Sequence, residues 1–166
     1  MGLEEIIDAA ERVGDNDEER QEAFRQEFDA YEAAESEAFE ATREALAEER
    51  EALEALDEQL EYEEENIEEL VANTEFLSVD QAVRHREATI EKLRTHNDHL
   101  REFHDAMTAA LDTVELNLDA LERAGPEAVD ADPEPDFERA HEALEAHNDT
   151  MRGLDRNMMI LDAYLR

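Results

Sequence analysis

Apolar residues recur every seven positions along most of this chain, with a companion set three residues further on. Between 80 and 124 the first set is Val83, Ile90, Asn97, His104, Leu111 and Leu118, and the second is Arg86, Leu93, Leu100, Met107, Val114 and Leu121. Steps alternating between three and four residues put both sets on one helical face, the seam of a coiled coil. An earlier run repeats the pattern, with Phe39, Leu46, Leu53, Leu60 and Ile67 followed by Thr42, Glu49, Leu56, Glu63 and Leu70. Phe24, Phe28 and Tyr31 precede it out of step, and a four-residue insertion, a stutter, joins the two registers. The last run is Phe137, Leu144, Met151, Met158 and Leu165, with Ala140, His147, Leu154 and Leu161.

Breaks between these runs are equally legible. Leu3, Ile6, Ile7, Ala10 and Val13 form a short amphipathic segment before Gly14, and Asp15-Asn16-Asp17 offers caps for a second helix. No Gly or Pro interrupts 18–72. Ser78 and Gln81 have capping-box spacing, Gly125-Pro126 marks a helix end, and Pro133 or Pro135 suits a first turn. The pattern predicts a single all-α domain over 1–166, with a short N-terminal helix at 3–13 and long helices at 18–72, 79–124 and 133–165. Short connections make long helices antiparallel neighbours. The expected architecture is an elongated antiparallel three-helix coiled-coil bundle.

Symmetric folding about the turns places Ile67 beside Val83, Leu60 beside Ile90 and Leu53 beside Asn97. The last helix then puts Leu144 beside Val114 and Leu154 beside His104, ending near Lys92. A two-helix arm over 57–92 would project alone, its tip at 71–79 carrying Val71, Phe76, Leu77 and Val79. An exposed apolar tip is a candidate docking site. Met158, Met159, Ile160 and Leu161 form an apolar run wider than one seam requires, a second candidate for self-association or partner contact.

Charge changes the picture more than overall composition does. Fifty acidic residues stand against 15 basic ones, a net charge of −35, and Lys92 is the only lysine. A hydrated carboxylate surface nearly free of lysine suits a halophilic, salt-rich cytoplasm, because at about 1 M salt the Debye length is roughly 3 Å and adjacent carboxylates hardly sense one another. The start, MGLEEIIDAA, lacks the basic region and apolar core of a secretory leader, so a cytoplasmic location is expected. The chain has no cysteine, hence neither disulfides nor thiolate chemistry. Its arginines are interspersed with acids, so there is no basic stripe for nucleic acid. No apolar run approaches the roughly 20 residues that span a bilayer.

The stretch IEKLRTHNDHLREFH, from Ile90 to His104, concentrates His96, His99 and His104. They fan around one helix and cannot converge on an ion from it, so the stretch reads as a seam with a polar layer. Asn97 and His104 belong to that layer, Glu49 falls near them, and Glu63 and Arg86 are expected to pair and fix register. The competing chemistry is a metal site inside a helical bundle. A di-iron centre needs E-x-x-H on two helices, whereas Glu138 and His141 supply one such pair. His104, His147 and Glu49 are the candidates for a single-ion site. Phosphate loops, nucleotide fingerprints and nucleophilic triads find no foothold, and packed seams leave no ligand cavity. The sequence therefore predicts no enzyme and no cofactor. It predicts an interaction, scaffold or adaptor protein with a protein partner, expected to be a homodimer. A metal-binding bundle and an amphipathic coat for a granule or vesicle are the alternatives.

Overall fold

The computed structural model describes residues 3–166 and is all-helical: α1 (Leu3–Glu32), α2 (Glu40–Asn73), α3 (Asp80–Ala124), α4 (Glu134–Met151) and α5 (Leu154–Leu165), with one 3-10 turn at Pro126–Ala128. The first helix does not stop at Gly14, and Asp15, Asn16 and Asp17 lie inside it rather than capping a second one. The long helix expected over 18–72 is instead two helices folded back to back. Ala34, with φ of 57°, turns the chain where no Gly or Pro gives warning. What the sequence presents as a stutter is this reversal. Phe24, Phe28 and Tyr31 pack round Phe39 with ring centroids 5.5–6.0 Å apart, and the cluster staples the turn.

Glu27 completes that junction. Its carboxylate accepts hydrogen bonds from the Thr42 backbone N–H at 2.5 Å, the Thr42 hydroxyl at 2.7 Å and the Ala41 N–H at 3.3 Å. An anion on the unpaired N–H groups of a helix start complements the helix dipole, so α1 caps α2 from the side. Arg20 Nε donates to Glu49 at 2.7 Å further along the same antiparallel pair.

The α2–α3 seam keeps the faces the heptads assign but slips in level. Asn97 donates to the Leu60 carbonyl at 3.4 Å, whereas the symmetric turn puts it beside Leu53. A seven-residue repeat is satisfied by any slip of seven, so the turn decides the level. Here the start of α3 runs past the end of α2. Arg86 reaches back to the Val71 carbonyl (2.9 Å) and the Thr74 hydroxyl (2.7 Å), capping the C-terminus of α2. The expected Glu63–Arg86 pair is therefore absent. Ser78 does not cap either, since α3 starts after Val79 without a side-chain cap.

Helix four is displaced further. After Gly125 (φ 85°) the linker doubles back along α3, tied by an Asn117 hydrogen bond to the Ala131 carbonyl at 2.8 Å. That return uses up length, so α4 begins lower on α3 than a simple turn allows. The sequence puts Leu154 beside His104, yet its neighbour Gly153 lies beside Lys92. Gly153, with φ of 81°, also breaks the expected single helix into α4 and α5. α5 then follows α3 to its start, where Tyr164 stacks on His85 at 6.0 Å and donates to Gln81 at 3.4 Å. The 57–92 segment is consequently not a bare two-helix arm. No described helix is long and apolar enough to cross a membrane.

Candidate functional site

α3 is the central helix: α2 packs on one side of it and α4 and α5 on the other, while α1 packs on α2. The two outer helices, α1 and α4, meet where the Arg20 guanidinium lies 5.5 Å over the Phe137 ring. Between them opens a groove of about 930 Å³, a volume typical of ligand sites. The expectation of solidly packed seams without a cavity is overturned. The seams are packed; the space lies between them.

Each wall is a helical stripe. α1 contributes Ile7, Ala10, Gly14, Asp17, Gln21, Phe24 and Phe28, a second face beside the one formed by Leu3, Ile6, Ala10 and Val13 in the core. The floor is Phe103, Met107, Val114, Leu118 and Leu121 of α3, and α4 adds Phe137, Ala140, Leu144 and His147. Along α3 the floor spans roughly 27 Å at about 1.5 Å per residue. Ile7, Phe24, Phe28, Val114, Phe137 and Leu144 are all only half-buried. A side-chain carbon added at Gly14 meets nothing within 4 Å.

Polar groups cluster under the groove. Glu49 is 0 % exposed, and its Oε1 has no hydrogen-bond partner. Burial pushes its carboxyl up to about 8; Arg20 opposes the rise and the neighbouring Asp17 carboxylate adds to it. At the lower end, His96 and His147 meet edge to face with centroids 4.5 Å apart. Neither ring nitrogen of His96 has a hydrogen-bond partner, nor does His147 Nδ1. Burial drives His96 down to about 4, helped by His147 and His99, and lowers His147 as well. Both histidines are held neutral. Glu63, the other buried acid, is raised by burial; the Asn66 hydrogen bond, at 3.5 Å, opposes the rise and the Glu5 carboxylate adds to it.

The structure separates most of the sequence candidates. His104 is half-buried, its Nδ1 3.0 Å from Asp105, while Glu49 belongs to Arg20 and His147 to His96. His141 lies on the groove rim, 3.4 Å from Glu145, and Glu138 is exposed on the same helix. Among the described residues, no group of three or more His, Asp or Glu side chains is placed to hold a metal ion. At the hairpin tip Phe76 and Val79 are exposed, whereas Val71 and Leu77 are half-buried. Of the C-terminal run, Leu161 is buried, Met158 and Ile160 are half-buried, and Met159 is exposed.

Sequence reasoning missed the groove and His96. The signal for the first was present: Ile7, Gly14, Gln21 and Phe28 are spaced by seven, a second repeat on α1. His96 counts as a flank of the α2 seam, yet α4 covers that flank and buries it to 1 %. Comparison with family models, curated proteins and solved structures finds no match.

Proposed function

We propose that this chain is a non-enzymatic interaction protein, an antiparallel coiled-coil-like scaffold whose working surface is the groove between α1, α3 and α4. The observation that carries this reading is the groove itself, about 930 Å³ and walled mainly by apolar side chains from three helices. Half-buried aromatics along such a channel are apolar surface that an occupant would cover. The hairpin tip is the lesser surface, because Phe76 and Val79 stand there without a concave wall. The acidic exterior, in this reading, keeps the scaffold soluble in a salt-rich cytoplasm.

The test is saturable binding of a neutral apolar dye, Nile red, to the folded protein. Gly14→Phe, which projects a ring into open space, should weaken that binding at least about tenfold, equivalent to roughly 1.4 kcal/mol, and leave helix content unchanged. Absence of saturable binding in the parent protein would remove the reading.

A further inference from the structure

We propose that the groove's occupant is a cationic amphipathic helix of another protein, laid along α3 with its apolar face inward. This rests on the reading of the groove as a working surface and deepens it by naming the class of occupant. Three observations converge on a helix of that charge.

The first is shape. Three walls with helical periodicity surround a groove whose floor, from Phe103 to Leu121, runs roughly 27 Å, the length of about 18 helical residues. Gly14 on the α1 wall, where an added side-chain carbon meets nothing within 4 Å, leaves room for a second backbone to approach. A helix lying in such a groove is a common recognition mode, its anchors spaced three and four apart.

The second is the distribution of charge. Arginines pair across the α2–α3 face: Arg43 with Asp119 and Glu122, Arg50 with Asp112 and Glu115, Arg101 with Asp57 and Glu64, and Arg94 with Glu68. The acids on the groove rims are less fully paired. Glu4, Glu11 and Glu18 succeed one another at intervals of seven along the outer edge of α1 before Arg25 ends the row, and Glu134, Glu138 and Glu145 line the outer edge of α4 before Arg152; those two arginines pair with Glu22 and Asp149 instead. All six are exposed, and among the described residues none has an arginine or lysine partner.

The third is what this charge excludes. Where salt does not screen it, a second copy, itself net −35 over its whole chain, adds like charge against these rims, and an anionic lipid or fatty acid would place its head group between two rows of carboxylates. A helix with Lys or Arg flanking its apolar stripe matches both features, with apolar floor against apolar face and acidic rim against basic flank.

The experiment uses two synthetic helices of about 18 residues with the same leucine stripe, one with lysine and one with glutamate at the remaining positions. Binding is followed by fluorescence anisotropy across a KCl series in which circular dichroism shows the protein folded. The lysine peptide should bind at least about tenfold tighter than the glutamate peptide at the lowest such salt, displace Nile red, and lose affinity in Gly14→Phe but not in Gly14→Ala. The gap between the peptides should narrow as screening increases. If Nile red binds and neither peptide displaces it, the groove stands and the helix is overturned. Equal affinity of the two peptides at low salt overturns the charge assignment. Lysine-peptide binding that survives Gly14→Phe places it on the general acidic surface and overturns the inference. A dimer by light scattering that Gly14→Phe converts to monomer would make the occupant a second copy, which also overturns it.

Discussion

On one face of α3, Leu93, Leu100 and Leu111 are sealed to 1 % exposure or less, in one cluster with Leu53, Leu56 and Leu60 of α2, and arginine–carboxylate pairs bridge the rim of that seam. Toward the groove, Phe103, Met107, Leu118 and Leu121 of the floor are buried as well, but Val114 and the opposing Phe28 and Leu144 are only half-buried, and six exposed rim glutamates have no arginine partner among the described residues. Both faces arise from the same seven-residue repeat. The difference is whether a helix of this chain fills the space opposite. Where one does, apolar area is removed from water and charges are matched; where none does, the same kinds of residue remain as an open surface.

Truncation should expose that difference most strongly. Leu100→Ala removes a side chain with no exposed surface and should cost about 2–5 kcal/mol, because the cavity cannot collapse fully. Leu144→Ala, on the groove wall, should cost less than about half as much, since its half-exposed side chain gives up less buried area. Urea denaturation at one fixed KCl concentration measures both. Equal losses would mean that the groove is as well packed as the seam.

Next in size are the effects of pH, which the buried polar groups set. His96 has a folded pKa near 4, below its unfolded value near 6.5. The folded state therefore favours neutral imidazole, and the stabilisation is complete above about 6.5 and lost as pH falls toward 4. A depression of that size corresponds to about 3 kcal/mol, with His147 adding in the same direction. Glu49 acts oppositely: its folded pKa near 8 lies above the unfolded value, so its contribution is complete below about 4.5 and lost as pH rises through 8. His96→Leu should flatten the acid limb of a stability–pH curve, and Glu49→Gln the alkaline limb. A curve in which either substitution leaves its limb unchanged would show that the residue does not control it.

A smaller effect is expected at the junction that creates the groove wall. Glu27→Ala removes the side-on cap of α2 and should cost about 1 kcal/mol, within the range of other N-caps. Helix content should fall at the start of α2, and hydrogen exchange at Ala41 and Thr42 should quicken. Protection unchanged at those two amides would mean that the aromatic cluster holds the turn without Glu27.

That turn marks the boundary between what the sequence made legible and what it did not. Ile90, Leu93, Leu100, Met107, Leu111, Leu118 and Leu121 form the buried seam their spacing announces, because period alone decides which face of a helix is buried. Gly125-Pro126 ends a helix as expected, and Gly153 breaks one through which the heptads run, since positive φ suits glycine. Ala34 adopts positive φ without a Gly to signal it, between Tyr31 and Phe39, whose rings pack across the turn; the same aromatics fit a helical stutter, so their spacing alone does not reveal the reversal. Levels along the helices were likewise illegible. Asn97 can meet Leu53 or Leu60 with the same heptad faces, and that choice goes with Arg86 capping Val71, while the level of α4 goes with the linker lying against Asn117. The groove arises from both unreadable features, the reversal that turns α1 back and the displacement that sets α4.

Gly14 gives the finest test of the comparison, because it is small on the groove side and lies within a helix rather than at its end. A glycine in mid-helix costs roughly 0.5–1 kcal/mol relative to alanine, and here nothing lies within 4 Å of an added side-chain carbon. Gly14→Ala should therefore stabilise the fold by about that amount, raise the melting temperature by a few degrees, and leave Nile red binding intact. If Gly14 instead faced a packed seam, the same methyl would clash and the sign would reverse. A destabilised Gly14→Ala protein would thus mean that α1 and α4 close over the groove in solution, and the contrast between the two faces of α3 would vanish with it.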